Sequence, residues 1–93
     1  MPTLRVPIDM QELFRSVVEE ARATHPDMDF VLRTEGDMSG SFDAVRLYQL
    51  FSNLLLNAAQ YGLATRPVSL DAQREEGKII VNVKNYGAEI PFA

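Results

Sequence analysis

The chain has no cysteine and no tryptophan among its 93 residues, and its single histidine is His25. Without thiols it can build neither a disulfide nor a thiolate metal site, which fits a reducing compartment such as the cytoplasm. Basic residues are few and scattered. Nine Lys plus Arg stand against thirteen Asp plus Glu, for a net charge of −4 and no basic cluster. A groove that tracks nucleic-acid phosphates is therefore not expected. The start, "MPTLRVPIDM", lacks a basic segment followed by an apolar run, so no signal peptide is expected. The most apolar stretch, "LFSNLLLNAA", is too short and too polar to span a membrane. A longer parent protein remains free to be anchored through another segment.

What is present is an ordinary globular balance, 46% hydrophobic and 24% charged, at the length of one small domain. "LRV" (4–6) reads as a short strand. Asp9 is placed to cap a helix, with Glu12 at capping-box spacing and Met10, Leu13, Phe14, Val17, Val18 and Ala21 as its apolar stripe. Pro26 ends that helix, which leaves His25 as an exposed loop residue. "MDFVLRTEG" (28–36) alternates as a half-buried strand, and "GDMSGS" reads as a turn. Asp43 can cap a second helix through Tyr61, ended by Gly62. Val68, Leu70 and Ala72, then Ile79, Val81 and Val83, alternate in the two arms of a hairpin closed by Glu-Glu-Gly-Lys. The acidic "REEG" run reads as a solvated turn. The order implies an α+β fold, an α/β sandwich with helices packed on one face of a mixed β-sheet. Residues 1–93 form a single unit without repeat or linker.

The second helix raises a question of its own. Leu47, Leu50, Phe51, Leu54, Leu55 and Ala58 form the face that should pack on the sheet. Asn53, Asn57 and Tyr61 follow at i, i+4 and i+8 along a neighbouring stripe. Asparagine is a poor helix former, because its amide competes for backbone hydrogen bonds. The stripe either lines a polar pocket or simply faces water, and spacing alone favours the solvent-facing reading, because short motifs recur by chance.

The wider stretch "FDAVRLYQLFSNLLLNAAQYG" resembles the asparagine box of sensor histidine kinases. The pattern there is an acidic cap, Arg-Leu, an apolar pair, then Asn-Leu-x-x-Asn-Ala-x-x-Tyr or -His. Asp43, Arg46, Leu47, Asn53, Leu54, Asn57, Ala58 and Tyr61 fall in register. Downstream, "VKNYGAEIP" resembles the first glycine box of the same fold, Asp-x-Gly-x-Gly-Ile. The stretch from Val6 to Asp37 is also typical of how such ATPase domains begin. The resemblance covers essentially the whole chain and implies a Bergerat-type ATP-binding fold, incomplete here.

It implies roles as well. Asn57 would give a side-chain oxygen to a magnesium ion bridging ATP phosphates, a role suited to a cation that takes few protein ligands. Asn53 stands where related ATPases carry a water-activating glutamate. An amide cannot accept a proton, so hydrolysis would be suppressed in favour of transfer. Tyr61 would reach phosphate oxygens, Asn85 would accept from the adenine amino group, and Gly87 would let the backbone approach the base. Strand parity with Ile79, Val81 and Val83 points Asn85 to the helix-covered face.

The sequence also departs from the pattern. Gln60 replaces a frequent Lys or Arg, Asn85 replaces the usual aspartate, and Glu89 replaces the second glycine. "EIPFA" closes the sequence directly after the first glycine box. The nucleotide lid, the last strands and the histidine-bearing dimerisation domain are thus expected in a parent protein, with a response regulator as its partner. About half of the pocket would lie in this chain, with no kinase activity and at most weak nucleotide affinity. Open sheet edges would favour a homodimer. The alternative is a degenerate, non-catalytic relative serving as a docking or phosphotransfer module. An anti-sigma-factor kinase would fit the fold, though less well the Arg-Leu-led helix.

Overall fold

Asp9 fixes where the first helix begins. In the computed structural model, which describes residues 5–61 and 67–85, its Oδ1 accepts from the Gln11 N–H at 2.9 Å. That satisfies one of the donors a helix start leaves open. Strand β1 (Val6–Asp9) leads directly into helix α1 (Met10–Thr24). Met10, Leu13, Phe14, Val17, Val18 and Ala21 are buried, so the expected apolar stripe is the face that packs. The helix stops ahead of Pro26, and His25 is its C-cap. The His25 N–H donates to the Ala21 carbonyl at 2.9 Å and its carbonyl accepts from Met28 at 3.1 Å. His25 is therefore half-buried and tied by its backbone, not the exposed loop residue expected from sequence.

Strands β2 (Phe30–Glu35), β4 (Val68–Glu75) and β5 (Lys78–Lys84) form one sheet in the order β2-β4-β5. β2 runs parallel to β4, with Phe30 opposite Val68, and β5 pairs antiparallel to β4. The sheet is mixed, as the element order implied. The β4–β5 hairpin closes on Glu75 and Lys78, with Glu76 at φ 49° and Gly77 at φ 80°. Two left-handed residues give a primed turn whose twist matches the strands it joins.

β1 pairs instead with β3 (Ser39–Phe42) in a separate antiparallel ribbon. This corrects two expectations. The first strand runs over 6–9, beyond the end expected at Val6, while Leu4 lies outside the described residues, and the segment read as a turn contains a strand. Ser39-Gly40-Ser41 carries no apolar alternation, so nothing local marks it as extended. Tertiary bonds hold it there. The Met10 N–H donates to the Met38 carbonyl at 2.8 Å. Arg74 reaches across from β4, its Nε donating to the Asp37 carbonyl at 2.8 Å and its Nη2 to the Ser39 carbonyl. Arg74 is thus a strap between sheet and ribbon, not part of a solvated turn.

Helix α2 (Ala44–Tyr61) starts at Asp43, whose Oδ1 accepts from the Arg46 N–H at 3.2 Å. The expected terminator, Gly62, lies outside the described residues. α2 lies against α1 through Phe14 and Phe51, whose rings meet edge-to-face with centroids 5.3 Å apart. Along the same seam the Glu20 carboxylate accepts from the Tyr48 hydroxyl at 2.5 Å and the Ser52 hydroxyl at 3.0 Å. The two helices, with Phe30, Val68, Leu70 and Ala72 of the sheet, enclose one core. Ile79, Val81 and Val83 are partly buried against it.

Candidate functional site

The site expected from sequence rests on how α2 is rolled. Phe51, Leu55, Ala58 and Ala59 are its buried residues. Leu50, expected in the core face, is 49% exposed instead. It lies three residues before Asn53 and seven before Asn57, on the asparagine stripe, because the packed face is narrower than the apolar sequence suggests. Asn53 and Asn57 are exposed and Tyr61 is 44% exposed. None of these three side chains hydrogen-bonds another described residue, so their donors and acceptors are uncommitted.

The end of β5 comes to this helix. Asn85 Nδ2 donates to the carbonyl of Ala58 at 3.1 Å, beside the stripe residue Asn57. Strand parity is what carries the side chain there. Ile79, Val81 and Val83 turn inward on β5 while Ile80, Asn82 and Lys84 turn out, and Asn85 continues the inward set. The structure therefore brings Asn85 to the same turn of α2 as Asn57 and Tyr61. Gly87, Glu89 and the remainder of the glycine-box segment lie outside the described residues. The Asn85–Ala58 bond itself carries no sequence signal, since a backbone acceptor can belong to any residue.

Metal binding has few donors to draw on. Among the described residues no group of three or more His, Cys, Asp or Glu could hold an ion. Among the described residues, the stripe offers a cation neutral amide oxygens and no cluster of carboxylates or imidazoles. A hard ion that retains water and phosphate oxygens fits such a neutral amide donor set.

Two other features lie away from the stripe. A groove of about 730 Å³ opens between the N-terminal halves of α1 and α2, where Ile8, Leu13, Ala44, Val45 and Tyr48 form its apolar lining. It draws on the first half of α2, ahead of Asn53 and Asn57, and its charged residues, Asp9 and Glu12, are acidic. Anionic phosphates are not suited to it, so size does not make it the better candidate. The second feature is the Glu20–Tyr48–Ser52 cluster, which sequence inspection missed. The Tyr48 hydroxyl, then that of Ser52, holds the Glu20 carboxyl below its ordinary value of 4.5. The same bond raises the Tyr48 phenol above 10.0. Residues far apart in sequence build this cluster, and no short motif announces it.

No family model matches the chain. A bacteriophytochrome from Pseudomonas aeruginosa is 29% identical over 80 residues, which is 86% of this chain and 11% of that protein. Among solved structures, the catalytic domain of histidine kinase ThkA superposes with a TM-score of 0.79 at 24% identity, covering 94% of this chain and 62% of that one. ThkA in complex with the response regulator protein TrrA gives 0.76 at 26% identity, covering 94% of this chain and 27% of that one. The mycobacterial sensor histidine kinase MprB gives 0.68 at 24% identity, over 76% of this chain and 46% of that one. The chain spans less than two thirds of the length of each of these relatives. No helix among the described residues is long and apolar enough to cross a membrane. The likeness extends over nearly the whole chain, helices and mixed sheet alike, and the fold is that of histidine-kinase catalytic domains.

Proposed function

We propose that this chain is the ATP-binding part of a two-component sensor histidine kinase. The observation that carries the reading is the docking of Asn85 on Ala58, which sets the tip of β5 beside the asparagine stripe of α2. A solvated stripe needs no such neighbour. A nucleotide site needs its base-side and phosphate-side residues within one molecule's reach, and these belong to the C-terminal half of one helix and one strand end.

In this reading Asn57 holds magnesium through its amide oxygen and Tyr61 donates its hydroxyl to a phosphate. Asn53 borders the phosphates without accepting a proton, so it activates no water. A carboxylate in place of Asn57 would repel the phosphates as well as attract the cation. Asn85 presents its Oδ1 to the amino group of adenine, and a glycine at position 87 would let the backbone approach the base. Magnesium, when bound with ATP, neutralises charge on the transferring phosphoryl group, and the chain's own residues contribute position. The parent would pass that phosphoryl group to a histidine and onward to a response regulator. This chain by itself is proposed to have no kinase activity.

The test is a titration of the 15N-labelled chain with magnesium and ATP, followed at the side-chain amides of Asn53, Asn57 and Asn85. Shifts confined to these amides, the Tyr61 region and the segment after Asn85 are expected. The affinity is expected to be weaker than about 1 mM, or roughly 4 kcal/mol. Magnesium alone should move none of them, since the described residues supply a lone cation few ligands. Shifts that spare all three amides at saturating nucleotide would end the reading. An affinity tighter than that limit would contradict its account of a half-built pocket.

A further inference from the structure

A backbone carbonyl can only accept a hydrogen bond, so the Asn85 atom 3.1 Å from the Ala58 oxygen has to be its amide nitrogen. Ala58 is fully buried, which leaves little water to replace a lost donor. The geometry points to Asn85 as a positioning residue: its amide nitrogen locks the tip of β5 onto the last turn of α2. A side chain of the same shape without that N–H, aspartate, cannot serve at neutral pH. The carboxylate introduced by Asn85→Asp would set a charged acceptor against a second acceptor in a half-buried place. No cation compensates it among the described residues. The last two turns of α2, Leu54 to Tyr61, carry no charged side chain, and their titratable group is Tyr61. Lys84 lies on the other face of the sheet, opposite Ser69, whose hydroxyl is bonded to Asp71.

The lock has a consequence that rests on the nucleotide reading above. With Nδ2 committed to the protein, Oδ1 is the atom left to face a ligand. The group presented to a base is then an acceptor in one fixed orientation. Ala58 is the residue after Asn57, so the same bond ties the base side of the site to the metal side.

The test is thermal unfolding of the whole 93-residue chain and its Asn85→Ala and Asn85→Asp variants. At about pH 8 the order expected is wild type, then alanine, then aspartate. Alanine should melt about 4–8 °C below wild type, the shift for one lost hydrogen bond in a domain this size. A protonated carboxyl can donate to Ala58. Lowering the pH to about 4.5 should therefore narrow the gap of Asn85→Asp to wild type and leave that of Asn85→Ala unchanged. Asn85→Asp melting with wild type at pH 8, or a gap that ignores pH, would overturn the lock.

If the aspartate variant does not fold, the wild type still decides. One Asn85 Nδ2 proton should be displaced downfield and slow to exchange, and random-coil positions for both would overturn the inference. The magnesium–ATP titration separates the two ideas. A lock that holds without nucleotide shifts removes only the nucleotide reading, and shifts without a lock remove only this one.

Discussion

The contact between Phe14 and Phe51 sets how α2 sits, and so where its asparagine stripe points. Both side chains are buried, Phe14 completely and Phe51 at 8% exposure, with centroids 5.3 Å apart and planes at 68°. Replacing either ring by leucine keeps an apolar side chain but loses the edge-to-face geometry, at a cost of about 1–2 kcal/mol. A domain of this length is stable by about 5–14 kcal/mol, so each single variant stays folded and the double variant remains measurable. The ring pair contributes about 0.5–1.5 kcal/mol beyond the area it buries. Phe14→Leu with Phe51→Leu should therefore cost less than the two singles added, by that amount. Urea unfolding followed by circular dichroism reads it, as a midpoint displaced by about 0.5 M from additivity at an m-value of about 1–2 kcal/mol/M. Side-chain amide shifts of Asn53 and Asn57, two and six residues beyond Phe51, should move in each variant. Additivity within about 0.3 kcal/mol would show that the rings merely fill space.

Three further outcomes follow from the structure. The Glu20 carboxyl is held low and the Tyr48 phenol high by their shared bond. A depressed carboxylate stabilises above its unfolded value and the effect is lost as pH falls through the folded one. A raised phenol stabilises below 10.0 and the effect is lost as pH rises. Tyr48→Phe should thus lower the melting temperature across the middle pH range, with a difference that shrinks in strong acid and strong alkali. A pH-independent difference would refute the clamp. Gly36→Ala forces a side chain onto φ +86° with its Cβ 2.8 Å from Arg74 Cβ, whereas at Gly77, φ +80°, the space is open. Gly77→Ala should cost about 1–2 kcal/mol of strain alone and Gly36→Ala more, and equal urea midpoints would count against the Arg74 contact. Finally, β5 is an edge of the three-stranded sheet among the described residues, while the other edge, β2, has Arg22 Nη2 donating to the Phe30 carbonyl at 3.0 Å. Open edges recruit other chains, so association through β5 should grow with concentration. A clean monomer by light scattering at high concentration would exclude it.

Periodicity and caps were legible in the sequence because they are local. Asp9, the stripe from Met10 to Ala21 and the Glu76-Gly77 turn each follow from spacing and backbone preference within a few residues. The three asparagines were legible as candidates for the same reason: Asn53 and Asn57 are one helical turn apart, and Asn85 ends an alternating strand. Tertiary structure decided what no window of residues contains. It made Ser39-Gly40-Ser41 a strand by giving it β1 as a partner, and it turned Leu50 out of the core by letting Phe14 choose Phe51. It recruited Tyr48 and Ser52 to Glu20 from about thirty residues away. It also set Asn85 on the carbonyl of Ala58, because main-chain acceptors are identical in every residue and only the packing of strand on helix selects one of them.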